Sequence, residues 1–247
     1  MKLAVKAHSN CASSYKNNSI VWCAQAQDGP GLCGGIGRKG ARSRHNAGAM
    51  TSSPHDAEIA QAAARMVVED GLEYGPAKRR AVKLLGLPAR TPLPDNDVVE
   101  DAVREHIALF CADTQPAELR ALRELALAWM ERLAAFRPHL GGAVWHGTAT
   151  RLSDIYLQLF CDDPKLAEIS LINQGVNYEP GTLPGLHGQP VDVLSVACPH
   201  RALGLVVGVH LLVYDLDDLR GALRLDRKGR APRGDVQAVR RLLENET

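Results

Sequence analysis

Two acidic side chains lie in segments whose residue pattern predicts β-strands. The first, Asp154, opens a segment in which polar and apolar residues alternate, so it shares one strand face with Tyr156 and Gln158. The second, Asp192, lies in an apolar stretch further along the chain. Carboxylate oxygens are the ligands that hard cations such as Mg²⁺ prefer. These residues could therefore take part in cation-dependent phosphate chemistry.

The order of the motifs around Asp154 resembles the core of nucleotidyltransferases of the polymerase-β superfamily. Those proteins carry an apolar strand that ends in Gly-Ser or Gly-Gly, and then a strand with two carboxylates one residue apart, often written SDIDL. A third carboxylate lies on a neighbouring strand. The matching residues here are Gly147-Thr148, Ser153-Asp154-Ile155-Tyr156-Leu157 and Asp192. The resemblance covers roughly residues 140–215.

This resemblance implies a site that binds a nucleotide and, if it is catalytic, Mg²⁺. Asp154 would be the first carboxylate and Asp192 the third, both acting as catalytic residues and as metal ligands. No other cofactor is implied. The residues implied to contact the nucleotide are Gly147, Thr148, Ser153, Tyr156 and Gln158.

Two departures from the family pattern bear on catalysis. Tyr156 stands where the second carboxylate is expected, and a neutral phenol is a poor Mg²⁺ ligand. The loop from Gly147 to Asp154 is also several residues shorter than usual. We therefore expect a protein that binds a nucleotide or a partner without catalysis. An active Mg²⁺-dependent nucleotidyltransferase is the alternative, and it would need a replacement acid such as Glu179 close to Asp154.

Longer runs of sequence resemble a family of proteobacterial proteins of unknown function. The matching runs are Ala77-Lys-Arg-Arg-Ala81, Phe136-Arg-Pro-His-Leu140 and the stretch from Gly147 to Ile155. Members are sometimes labelled UDP-N-acetylmuramate–alanine ligase. Such ligases need a Gly-Lys-Ser or Gly-Lys-Thr phosphate loop and a longer, three-domain chain. The sequence has no such tripeptide, so this activity is not expected.

A basic helix in the first half suggests another class of function. Periodicity predicts helices over 56–69 and 76–85, and this pair resembles the opening of tetracycline-repressor-type helix-turn-helix domains. Four cations on the second helix could contact DNA phosphates: Lys78, Arg79, Arg80 and Lys83. A DNA-binding regulator is therefore a further alternative. The other interpretation of these cations is a helix face exposed to solvent.

The predicted elements place the candidate site in the second half of the chain. Apolar spacing predicts further helices from Asp97 to Phe110 and over 116–136, and Pro138 follows them. Beyond it, the pattern predicts five strands and two helices. The predicted strands are 143–148, 154–160, 176–179, 191–196 and 206–214, and the predicted helices are 164–174 and 235–244. The fold class expected is α+β, a helical bundle followed by a small mixed sheet of nucleotidyltransferase type.

The first 49 residues differ in composition from the rest. They hold seven Lys and Arg residues and one Asp, whereas the whole chain has a net charge of +1. They are rich in Gly and Ser and show no apolar period, which is typical of disorder. Gly35, Gly37 and Gly40 match GxGxxG, but no buried strand precedes them. We interpret Met50 as the natural start, which divides the chain into an extension (1–49), a helical domain (50–138) and a nucleotidyltransferase-like domain (139–247).

The composition excludes several other classes. No apolar run approaches the ~20 residues needed to cross a bilayer, and the start is too short for a signal-peptide core. The six cysteines form no Cys-x-x-Cys pair, so neither a zinc ribbon nor a thioredoxin-like site is indicated. We therefore expect a cytoplasmic protein.

Overall fold

The computed structural model describes residues 54–186, 188–226 and 228–246. The predictions made for residues 1–49 and for the start at Met50 lie outside these ranges. Within the described ranges, four helices come first: α1 (Pro54–Asp70), α2 (Tyr74–Leu84), α3 (Asn96–Phe110) and α4 (Gln115–Arg132). A 3₁₀ turn, Ala134–Phe136, follows α4. Within the described ranges no helix is both long enough and apolar enough to cross a membrane.

The second half of the chain forms one mixed sheet. The described residues contribute six strands in the spatial order β3-β4-β5-β2-β1-β6. Strands β2 and β5 are parallel, and the other neighbouring pairs are antiparallel. The elements in chain order are β1 (His139–Gly141), α5 (Gly142–His146), β2 (Ile155–Cys161), α6 (Pro164–Asn173), β3 (Glu179–Pro184), β4 (Pro190–His200), β5 (Leu205–Asp215), α7 (Asp218–Ala222), β6 (Arg233–Gly234) and α8 (Val236–Asn245).

The fold class predicted from the sequence is confirmed: helices precede a small mixed sheet. The helices over 56–69, 76–85, 97–110, 164–174 and 235–244 are confirmed within a few residues. The helix predicted over 116–136 ends as an α-helix at Arg132. The strands over 154–160, 191–196 and 206–214 are also found, although the last two are longer than expected. The strand predicted at 176–179 begins only at Glu179.

The strand predicted over 143–148 is wrong. This segment forms the short helix α5, and the strand of this region, β1, lies just before it. Gly142 and Gly147 both have a positive φ, 67° and 80°, which lets the chain turn sharply into the helix and out of it. In so short an apolar run, alternation does not distinguish a buried strand from a buried helix.

The two faces of the sheet have different surroundings. Ile155, Leu157 and Leu159 of β2 point to one face, where they share a core with apolar residues of α4, α6 and α8. On the other face, Tyr156 and Phe160 share a smaller core with Ala222 of α7. Because Asp154 and Gln158 alternate with the first set, they belong to this second face, which we call the polar face.

The helices α1, α2 and α3 have a core of their own. Ile59, Ala63, Ala81, Val99 and Val103 are among its fully or almost fully buried members. Helix α4 belongs instead to the core of the sheet, through Leu122 and Met130. The boundary at residue 138 between two independent domains stays a prediction.

Candidate functional site

Four side chains form a line across the polar face at one level of the sheet. In the strand register Glu179 is opposite Ser195, Ser195 is opposite His210, and His210 lies beside Tyr156. Residues directly opposite each other on neighbouring strands point to the same face. The rings of His210 and Tyr156 are stacked, with centroids 4.9 Å apart and planes inclined by 24°. We call Glu179, Ser195, His210 and Tyr156 the polar row.

Asp154 is joined to this row by a chain of hydrogen bonds. His210 Nε2 lies 3.3 Å from Asp154 Oδ2, and His210 Nδ1 lies 2.9 Å from Ser195 Oγ. A neutral imidazole donates through one nitrogen and accepts through the other, and a carboxylate only accepts. A neutral His210 would therefore donate to Asp154 and accept from the Ser195 hydroxyl. The side chain of Asp154 is 44% exposed and that of His210 only 13%, so the carboxylate is the accessible end of the chain.

A glycine on β5 makes the position of Asp154 possible. The backbone N–H of Gly208 donates to Asp154 Oδ1 at 3.0 Å. A Cβ atom at position 208 would lie 2.7 Å from that oxygen and 2.8 Å from the carboxyl carbon. Real Cβ atoms do not approach other atoms so closely. Only glycine at this position allows the carboxylate to stay where it is.

Glu73, between α1 and α2, contacts Tyr156, the member of the polar row that lies on β2. The Tyr156 hydroxyl donates to Glu73 Oε1 at 3.0 Å. Burial raises the pKa of the Glu73 carboxyl, the hydrogen bond from Tyr156 lowers it, and the charge of Asp154 raises it further. Burial also raises the pKa of Tyr156, and Glu73 and Asp154 add to this shift. The phenol therefore stays protonated and donates to Glu73.

The shifted pKa of Glu73 predicts how stability changes with pH. Above the ordinary glutamate pKa of 4.5 the unfolded chain has lost its proton, while the folded carboxyl still holds it until its raised pKa is passed. In that window a rise in pH favours the unfolded state. Glu73→Gln removes this titration but keeps an oxygen that can accept from Tyr156. We expect the stability of the wild type relative to the variant, measured by urea unfolding, to fall as the pH rises through the window.

Glu179→Gln, at an exposed position, is the control. A difference in stability between the wild type and Glu73→Gln that stays constant with pH would contradict the prediction.

The structure separates Asp154 from Asp192, so the prediction that they share a metal site is wrong. Asp192 is opposite Val213, whereas Asp154 is level with Gly208, five residues away along β5 and roughly 16 Å along the strand direction. Val213 belongs to the helix-covered core, and its partner Asp192 therefore points to the face opposite Asp154. There Asp192 lines a cleft beside Lys165 and Glu168.

Glu179 does not replace the missing acid. It lies on the polar face, but β4 and β5 separate its strand from β2. Three inter-strand spacings amount to about 14 Å. One ion could not be held by oxygens of both Glu179 and Asp154, because ligands lie 2.0–2.6 Å from Mg²⁺ or Ca²⁺.

The polar face does not fit a pair of resident Mg²⁺ ions. Beside Asp154, the second expected carboxylate position is Tyr156. On the neighbouring strand β5, the residues facing the same side are Gly208, His210, Leu212 and Tyr214, none of which is an acid. Among residues 54–186, 188–226 and 228–246, no three His, Cys, Asp or Glu side chains are grouped to hold a metal ion. Two-metal chemistry needs more oxygen ligands than this face provides.

The Gly147-Thr148 pair, predicted to contact nucleotide, is used inside the protein. Gly147 ends α5, and the backbone N–H groups of Gly147 and Thr148 both donate to the carbonyl of Ala143. The Gln115 amide donates to the carbonyls of Gly147 and Ala149. Thr148 itself is only 2% exposed. The pair thus lies at the C-terminal end of a short helix, whereas phosphates bind at N-terminal ends.

The other residues predicted to contact nucleotide differ in accessibility. The Ser153 hydroxyl accepts from the backbone N–H of Thr150 at 3.0 Å and closes a tight turn just before Asp154. Gln158 and Tyr156 are 6% and 7% exposed. Asp154 is therefore the most accessible of the predicted residues on the polar face, and Ser153 is half-buried beside it.

The guanidinium of Arg123 on α4 holds the segment before the Gly147 turn. It donates to the carbonyls of Val144 and Trp145, and it forms an ion pair with Glu246 near the C-terminus. Its side chain is only 6% exposed. Burial lowers the pKa of Arg123, and Glu246 opposes that shift. One buried cation thus links three parts of the chain that are distant in sequence.

The four cations proposed for DNA contact do not form one exposed surface. Lys78 is 6% exposed and donates to the carbonyl of Pro94 at 2.9 Å and to Asn96 Oδ1 at 2.8 Å. The prediction that it contacts phosphate is therefore wrong, since its ammonium group supports the start of α3. Arg79, Arg80 and Lys83 are exposed, and Arg80 pairs with Asp70 at 3.4 Å. Three exposed cations, one of them paired, give little support to DNA binding.

Sequence reasoning did not identify Glu73, Ser195 or His210 as site residues. His210 and Ser195 each interrupt an otherwise apolar strand segment, and that interruption is a local signal that could have marked them. Glu73 lies in a short connection between helices and carries no comparable signal.

Comparisons with known proteins give a distant likeness in fold. No protein-family profile and no curated protein sequence matches the chain. Two solved structures of the Cid1 poly(U) polymerase match part of it. The MgGTP-bound form has a TM-score of 0.30 and 13% identity, over 44% of this chain and 38% of the polymerase. The complex with the UTP analogue UMPNPP has a TM-score of 0.29 and 12% identity, over 44% and 36%. The matched region spans less than two fifths of the polymerase, and this likeness assigns no residue.

Proposed function

We propose that this protein binds a nucleotide on the polar face, beside Asp154, without catalysing metal-dependent nucleotidyl transfer. The observation that carries the proposal is the composition of this face. The first carboxylate of the nucleotidyltransferase pattern is kept and oriented, while Tyr156 occupies the position of the second and β5 offers His210 instead of an acid. Such a face keeps one oxygen ligand for a cation that arrives with a nucleotide, but it lacks the set that two-metal transfer requires.

The charges on this face indicate how a nucleotide would bind. Asp154 and Glu179 are both exposed there, so bare phosphates would be repelled. A divalent ion bound to the phosphates is attracted to the carboxylates, and Asp154 can become one of its ligands. Binding should therefore depend on the divalent ion even though no reaction follows.

The hydroxyl–imidazole–carboxylate chain does not by itself support a hydrolase. Ser195, His210 and Asp154 follow the order found in nucleophilic triads. Acyl transfer also needs hydrogen-bond donors or cations where an oxyanion develops. The neighbour of Ser195 on β3 is the carboxylate Glu179, which would destabilise an oxyanion, and Arg233, which shares this face, lies on β6, four strands away from β4. These hydrogen bonds from Ser195 through His210 therefore serve to orient Asp154.

Calorimetric titration tests the proposal. Mg²⁺ complexes of ATP, GTP, CTP and UTP are titrated into the full chain, and the measurement is repeated with excess EDTA. We expect at least one nucleotide to bind with Mg²⁺ and to bind at least about tenfold more weakly without it. Asp154→Asn keeps an oxygen that can accept from Gly208 but removes the charge, and it should weaken Mg²⁺-nucleotide binding by a similar factor.

The control is Asp192→Asn, which removes a carboxylate from the opposite face and should leave binding unchanged. An assay for released pyrophosphate addresses the alternative of an active enzyme. Release that is lost in Asp154→Asn would overturn the non-catalytic proposal, and the absence of heat with every nucleotide would overturn nucleotide binding itself.

A further inference from the structure

The connection between α1 and α2 lies against the edge of the polar face. We call residues 71–73 the α1–α2 connector. A Cβ atom at Gly71 would lie 3.0 Å from Leu152 Cβ and 3.2 Å from the Leu152 carbonyl oxygen, so the connector contacts the turn that precedes Asp154. Gly71 has a φ of 66°, which ends α1 and directs the chain towards this turn.

The side chain of Glu73 makes its hydrogen bond outside its own helix. Glu73 is the N-cap residue of α2, but its side chain makes no capping hydrogen bond to that helix. Its carboxyl instead accepts from the Tyr156 hydroxyl. A polar side chain that leaves the end of its own helix to meet a side chain 83 residues further on makes a tertiary contact, not a local one.

This contact lies at the hydroxyl end of the Tyr156 ring, next to the place where a ligand beside Asp154 would bind. Tyr156 is only 7% exposed, and His210, stacked on it, has only 13% of its side chain exposed. Asp154, two residues before Tyr156 and on the same face, is 44% exposed. The cover thus ends between Asp154 and the stacked rings.

We propose that the α1–α2 connector is an autoinhibitory cover: the Glu73–Tyr156 hydrogen bond closes the inner part of the polar face and must break before a ligand reaches Tyr156 and His210. The use of this cover in regulating nucleotide binding rests on the proposed function. The closed state itself can be tested without any nucleotide. Leu72 and Tyr74, on either side of Glu73, pack against the core of α1–α3, so opening is a rotation of the Glu73 side chain away from Tyr156 and leaves the helices in place.

Chemical modification of His210 by diethylpyrocarbonate is the direct probe. The rate at that residue is followed by peptide mass mapping in the full chain, for the wild type, Glu73→Ala and Tyr156→Phe. Each substitution removes one partner of the contact. Loss of a hydrogen bond to a charged group should shift the balance between the closed and the open state towards the open state by about tenfold, and the modification rate should rise by the same factor. Glu179→Ala is the matched control, because it removes an exposed carboxylate of the same row without touching the connector.

Nucleotide titration of the same four proteins separates the two proposals. Faster modification of His210 in both variants, with tighter Mg²⁺-nucleotide binding, supports the cover and its regulatory use. Faster modification without nucleotide binding in any of the four proteins supports the cover and overturns the proposed function. Unchanged modification rates in both Glu73→Ala and Tyr156→Phe overturn the cover, whatever the nucleotides do.

Discussion

Replacement of Arg123 by methionine is expected to lower the free energy of unfolding by about 3 kcal/mol. The guanidinium is buried and is shared by the carbonyls of Val144 and Trp145 and by the carboxylate of Glu246. Methionine fills a similar volume but donates no hydrogen bond. The substitution would leave two backbone acceptors and a partly buried carboxylate without this donor, and an unmet buried acceptor costs more than a formed hydrogen bond gains. Urea denaturation followed by circular dichroism measures the change.

The matched control is Arg240→Met, on α8. Arg240 pairs with Glu131 at 2.6 Å, but both side chains are close to half exposed, 44% and 48%. Exposed pairs of this kind contribute about 0–1 kcal/mol. Equal destabilisation by the two substitutions would contradict the prediction, because it would mean that the buried hydrogen bonds of Arg123 stabilise the protein no more than an exposed ion pair does.

Substitution of Gly208 by alanine is expected to weaken Mg²⁺-nucleotide binding by about tenfold or more, while the fold is retained. The new Cβ would lie 2.7 Å from Asp154 Oδ1, so the carboxylate must rotate away and lose both the Gly208 N–H and His210. A misplaced Asp154 is a weaker ligand for the incoming ion, and a tenfold loss of affinity corresponds to about 1.4 kcal/mol of binding free energy. Because Asp154 is 44% exposed, it can turn into solvent, and the change in stability should stay below about 1 kcal/mol. Titration calorimetry and urea unfolding measure the two effects separately.

Gly181→Ala provides the comparison for this strand glycine. It faces the same side of the sheet on β3, and its added Cβ would meet nothing closer than the Val193 carbonyl oxygen at 4.0 Å. Affinity and stability should both remain at the wild-type level. Loss of affinity in both variants would point to a general effect on the sheet, and unchanged affinity in Gly208→Ala would mean that the orientation of Asp154 does not matter for binding.

Periodicity predicted most of the regular structure because it depends on neighbours in sequence. The apolar stripe of α1 and the alternation of β2 are local patterns, and each reports which face of the element is buried. The failure at α5 has the same origin. A helix of five residues is too short for the helical and the extended periods to differ, so burial of Val144 fits either one.

The candidate site could be predicted only in part. Asp154 was identified because its strand alternates clearly and its flanking motif resembles a known family. Asp192 was assigned to the same site although its face depends on the register between β4 and β5, which the segment itself does not reveal. A shift of one residue in that register would move every side chain of β4 to the other face.

The sequence alone determined the fold class and most helices and strands, because these follow from residue types and short-range spacing. Only the tertiary structure decided which side chains meet. It brought Glu73, Ser195 and His210 to Asp154 and Tyr156, placed Asp192 on the opposite face, and buried Lys78 against the start of α3. The physical reason is that strand order, register and helix docking are set by the burial of whole faces against one another. Partners far apart in the chain then become neighbours without any local sign of it.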